Sequence, residues 1–146
     1  MAILTYTQGE SPESDRDLFC AVGQALADQA VHDDLGMAVT SRAGDIWHVS
    51  TGKDGTLHGF SVTRLLKSQK AAHVRYLYAA RRHVRVKDSL LKAVVELAEH
   101  KELKTLSTRD RVNAVIWGRF GFEVVTEPKK RRGEFVRWMR RMEDKP

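Results

Sequence analysis

Between Ala72 and Leu106 the chain reads strand, helix, strand, and this unit constrains the fold more than any other feature. Ala72-His73-Val74-Arg75-Tyr76-Leu77-Tyr78-Ala79 is rich in β-formers and predicts a strand. Val86, Leu90, Val94 and Leu97, with Leu91, Val95 and Ala98 beside them, repeat at helical spacing and predict a helix over roughly 86–100. Leu103–Leu106 predicts a short strand after it. Two strands joined through a helix in one sheet run parallel, with a right-handed crossover. A chain built on this unit is α/β.

The flanks extend the pattern. Residues 2–7 predict a first strand, and Ser11-Pro12-Glu13 predicts a helix start. Ser11 serves there as N-cap, and proline at the first helical position gives up an N–H that has no partner anyway. Leu18, Val22, Ala25, Leu26 and Gln29 share the inward face of this helix. The segment through His32-Asp33-Asp34-Leu35-Gly36 carries no decisive pattern. Asp45–Ser50 predicts a strand, Gly52-Lys53-Asp54-Gly55 its turn, and Thr56 to about Leu65 the return. Asp110 can cap a second helix running to about Arg119, with Val112, Val115 and Ile116 as its apolar stripe and Gly121 as its C-cap. Phe122–Thr126 and Glu134–Arg141 predict a closing hairpin across the Lys129–Gly133 loop. The result is one α/β domain over residues 1–146, with a mixed sheet flanked by helices.

At 146 residues, a chain of this size buries roughly two thirds of its unfolded surface and needs no metal or disulfide staple. The single cysteine, Cys20, sits beside Phe19 and reads as core. One cysteine, no membrane-length apolar run and no signal-peptide pattern together predict a protein that is intracellular, or released from inside a cell by some other route, without a membrane partner. The six histidines show no zinc-ligand spacing; His48, His58 and His73 lie on neighbouring predicted strands.

Charge is unevenly placed. Residues 1–40 carry seven acids and one base, so the net charge of +6 leaves +12 on the rest. No acid falls between Asp54 and Asp88, where Arg64, Lys67, Lys70, Arg75, Arg81, Arg82, Arg85 and Lys87 lie. A second basic block comprises Lys129, Lys130, Arg131 and Arg132, followed by Arg137, Arg140 and Arg141. Such blocks attract polyanions, either nucleic acid or a phosphate-rich cofactor, or else form a solvated face. Trp138, amid the last three arginines, suits nucleic-acid contact. Alternation puts Arg137 and Arg141 on one face of their strand and Arg140 on the other.

Three segments, in order, resemble the GNAT superfamily of acyl-CoA-dependent N-acyltransferases. The most specific runs from Asp110 to Val125 and includes Ile116-Trp117-Gly118-Arg119-Phe120-Gly121-Phe122. The others are Ile46–Val62, with Gly59-Phe60, and His73–Leu91, a strand followed by a basic loop and a helix. The resemblance implies splayed fourth and fifth strands, acetyl-CoA as cofactor, and acetyl transfer to an amine. It implies that the backbone of Val74, Leu77 and Tyr78 pairs with the pantetheine arm. Arg81, Arg82, His83, Arg85, Val86 and Lys87 would hold the pyrophosphate, and Asp110, Asn113 and Trp117 would complete the site.

The chain departs from that family in two places. Arg85 and Lys87 stand where small residues let the loop curl around phosphate; they either block its amides or replace them with salt bridges. Trp117 stands at the position of the tyrosine that reprotonates the leaving thiolate. Replacement candidates are His73 as base and Tyr76 or Tyr78 as acid. Strand alternation sets His73 and Arg75 on the face opposite Tyr76 and Tyr78. Short GNAT-like proteins with similarly eroded loops occur in tailed bacteriophages, so the resemblance also implies a non-catalytic alternative. There the fold is a scaffold, in the cytoplasm or the virion, and its basic surface binds DNA or virion proteins. A GNAT-like enzyme acting on DNA bases would combine both features.

Overall fold

The computed structural model describes residues 3–40, 42–110, 113–125 and 136–142. Strand β1 (Ile3–Thr7) leads into helix α1 (Pro12–Leu26) and a short helix α2 (Gln29–Leu35). An antiparallel meander follows: β2 (Ile46–Thr51), β3 (Leu57–Leu66) and β4 (Ala71–Ala79). Helix α3 (Val86–His100), strand β5 (Thr105–Asp110), helix α4 (Ala114–Arg119), and strands β6 (Glu123–Val124) and β7 (Val136–Arg141) complete the chain. One mixed seven-stranded sheet results, ordered β1-β2-β3-β4-β5-β7-β6, with β4 and β5 parallel.

Helices cover both faces. α3 and α4 pack with Val74, Leu77 and Leu106 on one side; α1 and α2 pack with Trp47, Phe60, Val62 and Tyr76 on the other. α1 begins as its sequence predicts, with the Ser11 hydroxyl accepting from the Ser14 N–H at 3.1 Å. Gln29, expected on that helix, instead opens α2. Asp28 caps the new helix by accepting from the Ala30 N–H at 2.9 Å, and Gly36 ends it at φ 78°. Cys20 is exposed rather than core. The inward face of α1 is set by Leu18, Val22 and Ala25, and a residue two places from both Leu18 and Val22 points the other way.

The segment after residue 103 differs most from its prediction. β5 runs from Thr105 to Asp110, because β7 pairs beside it as far as Asp110 with Val136. Asp110 therefore ends a strand and caps no helix; α4 starts at Ala114, behind Asn113 at φ 62°. Val115 is 80% exposed, and Ile116 and Trp117 form the buried face instead; Val112 lies outside the described residues. Gly121 is where the sequence puts it, at φ 84° just past the helix end. The Gly121 N–H donates to the Gly118 carbonyl at 3.1 Å and the Phe122 N–H to the Trp117 carbonyl at 3.0 Å. That is a Schellman ending, and its apolar clasp is the Trp117–Phe122 ring pair, 5.0 Å between centroids. Trp138 packs against the α3–α4 core rather than standing out as a stacking platform. Lys129, Lys130, Arg131 and Arg132 lie outside the described residues. Among the described residues no helix is long and apolar enough to cross a membrane.

Candidate active site

β4 and β5 pair only from Ala71 with Thr105 to Val74 with Thr108. Beyond that point β4 continues five residues to Ala79, still paired to β3, while β5 turns away. The cause lies in β4. Opposite the single step from Val62 to Thr63, β4 takes two, from Tyr76 to Val74, so Arg75 is the extra residue of a β-bulge. A bulge bends its strand and strengthens the local twist. The Thr108 hydroxyl donates to the Val74 carbonyl at 2.9 Å and marks the root of the splay.

The bulge also resets which side chains share a face. Ala72, Val74, Leu77 and Ala79 lie in the α3 core, and Tyr76 and Tyr78 pack on the α1–α2 side. His73 and Arg75 therefore stand on the same face as both tyrosines, not opposite them. Arg75 is fixed there. Its guanidinium pairs with Asp45, which is 1% exposed, and donates to the Thr40 carbonyl, the Thr40 hydroxyl and the Tyr76 hydroxyl. The Tyr76 hydroxyl also donates to the Ala38 carbonyl at 3.2 Å and accepts from the Thr40 N–H at 3.1 Å. Tyr76 is thereby committed to holding the 38–40 segment.

His73 and Tyr78 keep more freedom. His73 is half-buried, with Nδ1 3.0 Å from the Ser107 hydroxyl. Burial lowers its pKa below the ordinary histidine value, and Arg75, Arg137 and Arg109 lower it further, so the ring stays neutral near neutrality. Burial, with Asp34 and Asp28 nearby, raises the Tyr78 phenol and keeps its proton on. Tyr78 also lines an open pocket of about 750 Å³ with Asp28, Asp54 and Leu57.

Past Ala79 the chain makes a tight 3₁₀ turn, Arg81–His83, and enters α3. Among the described residues no side chain caps α3, and Arg81, Arg82 and Arg85 are exposed around its first turn. His83 stacks on His58, with centroids 3.7 Å apart. Gly59 is what lets β3, β4 and α3 meet here: a Cβ would lie 2.5 Å from the Tyr78 carbonyl oxygen and 3.1 Å from Val86. Val86 itself is buried.

Lys87 leaves this loop. Its ammonium donates to Asn113, whose amide donates to Asp110 at 2.7 Å; the Trp117 indole N–H reaches the same carboxylate oxygen at 2.9 Å. This chain joins the first turns of α3 and α4 across the ends of the diverging strands. Burial lowers the Lys87 pKa, with Asp110 and Asp34 opposing. Between the strands lies a cavity of about 10 Å³, bordered by Leu35, Met37, Arg75, Leu77, Thr108 and Asp110. It holds at most one water.

The structure links Lys87, Asn113, Trp117 and Asp110 by hydrogen bonds beside the small cavity that Leu77 and Asp110 border. Val74 and His73 lie at the root of the splay, Val86 is buried in the α3 core, and Tyr78 faces a separate pocket on the α1–α2 side. The structure separates His48, paired with Ser61, from His58 and His73. Arg140 turns to the α4 side and donates to the Phe120 carbonyl at 2.9 Å, while Arg137 and Arg141 are exposed. Sequence reasoning passes over Asp45, Ser107 and Thr108. Only the alternation of Leu106, Thr108 and Asp110 signals a longer strand there; the Asp45–Arg75 pair spans 30 positions and has no local signal.

No family model matches the sequence, and no curated protein matches it. Solved structures do share its fold. Escherichia coli ElaA superposes with a TM-score of 0.71 at 15% identity, covering 95% of this chain and 98% of that one. An acyl-CoA N-acyltransferase from Pseudomonas aeruginosa gives 0.68 at 13% identity, over 96% and 99%. N-acetylglutamate synthase from Neisseria gonorrhoeae, solved with coenzyme A and N-acetyl-glutamate, gives 0.62 at 13% identity, over 99% of this chain and 36% of that one. The chain has the GNAT fold, with the splayed fourth and fifth strands that the resemblance implies.

Proposed function

We propose that this protein is an acyl-CoA-dependent N-acyltransferase, with acetyl the expected acyl group and an amine the acceptor. The observation that carries the reading is the splay at Val74 and Thr108, which leaves one edge of β4 without a β-partner and points it at an uncapped, arginine-ringed helix start. Helix N-termini bind phosphate through orphan amides and the helix dipole, and Arg81, Arg82 and Arg85 add donors suited to phosphate. With Lys87 drawn off to Asn113, the salt-bridge alternative for this loop is favoured over blockage. The β4 backbone from Val74 to Tyr78 would pair with the pantetheine arm, once the Lys87–Asn113 bond parts to widen the 10 Å³ cavity.

Acyl-CoA, when bound, supplies an activated acyl carbonyl. The acceptor nitrogen forms its bond to that carbon as the carbon–sulfur bond breaks, and the electron pair leaves on sulfur. His73, neutral and held at Nδ1 by Ser107, would take the amine proton at Nε2. Tyr78, kept protonated, is the nearer of the two tyrosine candidates to a free donor, because Tyr76 is tied to Ala38 and Thr40.

Calorimetry with acetyl-CoA tests this. Binding should give heat and raise the melting temperature by mass action, and Arg82→Ala with Arg85→Ala should abolish both while leaving apo stability within about 0.5 kcal/mol, as for exposed residues. No heat and no shift at saturating acetyl-CoA would end the reading. A second reading, the fold as a non-catalytic scaffold with DNA or virion partners on its basic surface, draws on the narrow cleft and its Lys87–Asn113 bridge. That same null result would favour it.

A further inference from the structure

Two histidines meet at the loop between β4 and α3, apart from the hydrogen-bonded chain that runs from Lys87 to Asp110. His58, on β3, stacks on His83 with ring centroids 3.7 Å apart and planes 14° from parallel. The backbone fixes both rings. The Ala80 N–H donates to the His58 carbonyl at 2.8 Å, and the His83 N–H donates to the Ala80 carbonyl at 2.8 Å. Gly52 makes room for the His58 ring, since a Cβ there would lie 2.8 Å from Nε2. His83 is the half-buried residue of a turn whose other members, Arg81 and Arg82, are exposed.

Packing alone does not call for histidine here. Phenylalanine would stack as well and leave no polar atom behind. His58 Nδ1 instead lies buried with no hydrogen-bond partner among the described residues, and an unpaired buried polar atom costs stability. The groups around the pair are placed for a charge. The β2–β3 turn brings Lys53, which is exposed, and Asp54, whose carboxyl is held below the usual carboxylate range by hydrogen bonds from Thr56 and, in smaller part, by His58. On the loop side, Arg81, Arg82 and Arg85 are exposed and make no ion pair among the described residues. At the start of α3, Lys87 bonds Asn113 and Asp88 pairs with Arg119. The end of β4 brings Tyr78, turned to the α1–α2 side, and the uncharged Ala79 and Ala80. Imidazoles stacked this closely have room for one proton. A protonated ring over a neutral one is a cation–π contact, whereas two protonated rings repel.

We propose that the His58–His83 stack takes up a proton when a phosphate-type oxyanion binds the Arg81–Arg85 turn, so that proton and anion occupy this loop together. The proposal rests on the cofactor loop of the acyltransfer reading and makes phosphate recognition there proton-linked. An oxyanion beside the stack favours its charged form, and by linkage the proton strengthens anion binding by the same factor.

The test follows the His58 and His83 ring resonances of the full chain by NMR while sulfate is added at constant ionic strength, at about pH 7.5 and about pH 6. Sulfate remains a dianion throughout, so any pH dependence belongs to the protein. Binding should be saturable and tighter by about fivefold or more at the lower pH, with the ring resonances moving toward their imidazolium positions as sulfate is added. Changing His58→Phe and His83→Phe together keeps an aromatic stack without a titrating nitrogen, and should make the affinity equal at the two pH values. The wild-type ring shifts decide the question by themselves if that variant does not fold. Equal wild-type affinities, rings that stay neutral as sulfate binds, a pH dependence that persists in the double variant, or no saturable binding would each overturn the proposal. Calorimetry with acetyl-CoA in buffers of different ionisation enthalpy separates the two readings. Binding heat without proton uptake would sink the proton link alone. Proton-linked sulfate binding without acetyl-CoA heat would leave it standing and end the acyltransfer reading.

Discussion

β4 meets its two neighbours by different means. Toward β3 it is paired from Ala71 to Ala79, with Phe60, Val62, Val74, Tyr76 and Leu77 buried along the seam, Ser61 and Thr63 buried among them, and Gly59 allowing backbone contact where a Cβ would collide. Toward β5 it has four paired residues, and beyond them the closure is polar: Lys87 to Asn113, then Asn113 and Trp117 to Asp110. Apolar packing closes a continuous surface and is lost only when that surface is opened. A hydrogen bond that water can replace is worth only about 1 kcal/mol net. One side of β4 is therefore built to stay shut, and the other can part without unfolding the domain.

The largest expected effect lies where the two sides meet. Arg75→Ala strips the bulge of its anchor and leaves the buried Asp45 carboxylate without its guanidinium, so it should destabilise by about 3–5 kcal/mol in a urea titration. A loss below about 1 kcal/mol would mean that the bulge holds itself and that the comparison needs another cause.

On the closed side, His48 is buried on β2 and its pKa is lowered by that burial to about 4, from 6.5 when free. The unfolded chain thus takes up a proton near pH 6.5 that the folded chain refuses until about pH 4. Stability from this group is complete above pH 6.5 and falls as pH drops toward 4, by about 3 kcal/mol in all. His48→Leu should flatten that part of the stability–pH curve; an unchanged slope would assign the acid sensitivity to other groups.

Gly59→Ala tests the seam itself. The added methyl meets backbone at 2.5 Å, so a loss of about 2 kcal/mol is expected, with weaker amide protection at Tyr78 and Ala79. The smallest effect belongs to the polar side. Lys87→Met should change stability by about 1 kcal/mol or less, yet speed hydrogen exchange at the start of α4 while leaving β3 and β4 as they were. Equal loosening on both sides would erase the distinction.

Much of this was legible in local pattern. The 86–100 periodicity, the Ser11-Pro12 start, the Gly121 stop and the strand–helix–strand unit each depend on residues within one or two turns of each other, and each appears where the pattern places it. The split between α1 and α2 was written locally as well, in Asp28 and Gly36, though the longer periodicity ran across it. The candidate site was less legible. The loop proposed for the cofactor follows from the arginines after β4, but the neighbours of His73 and Tyr76 do not.

The sequence by itself determined the type and order of nearly every element, because propensity, capping and periodicity are short-range and additive. Tertiary structure alone decided the rest. β5 runs on to Asp110 because β7 lies beside it, which turns a predicted helix cap into the buried acceptor for Trp117 and Asn113. One bulge at Arg75, anchored by an aspartate 30 positions away, brings His73 onto the face of Tyr76 and Tyr78, where strict alternation separates them. A side-chain period of two cannot register an extra residue. Only pairing with β3 reveals it, and the Asp45 ion pair with the hydrogen bonds to Thr40 and Tyr76 holds it there.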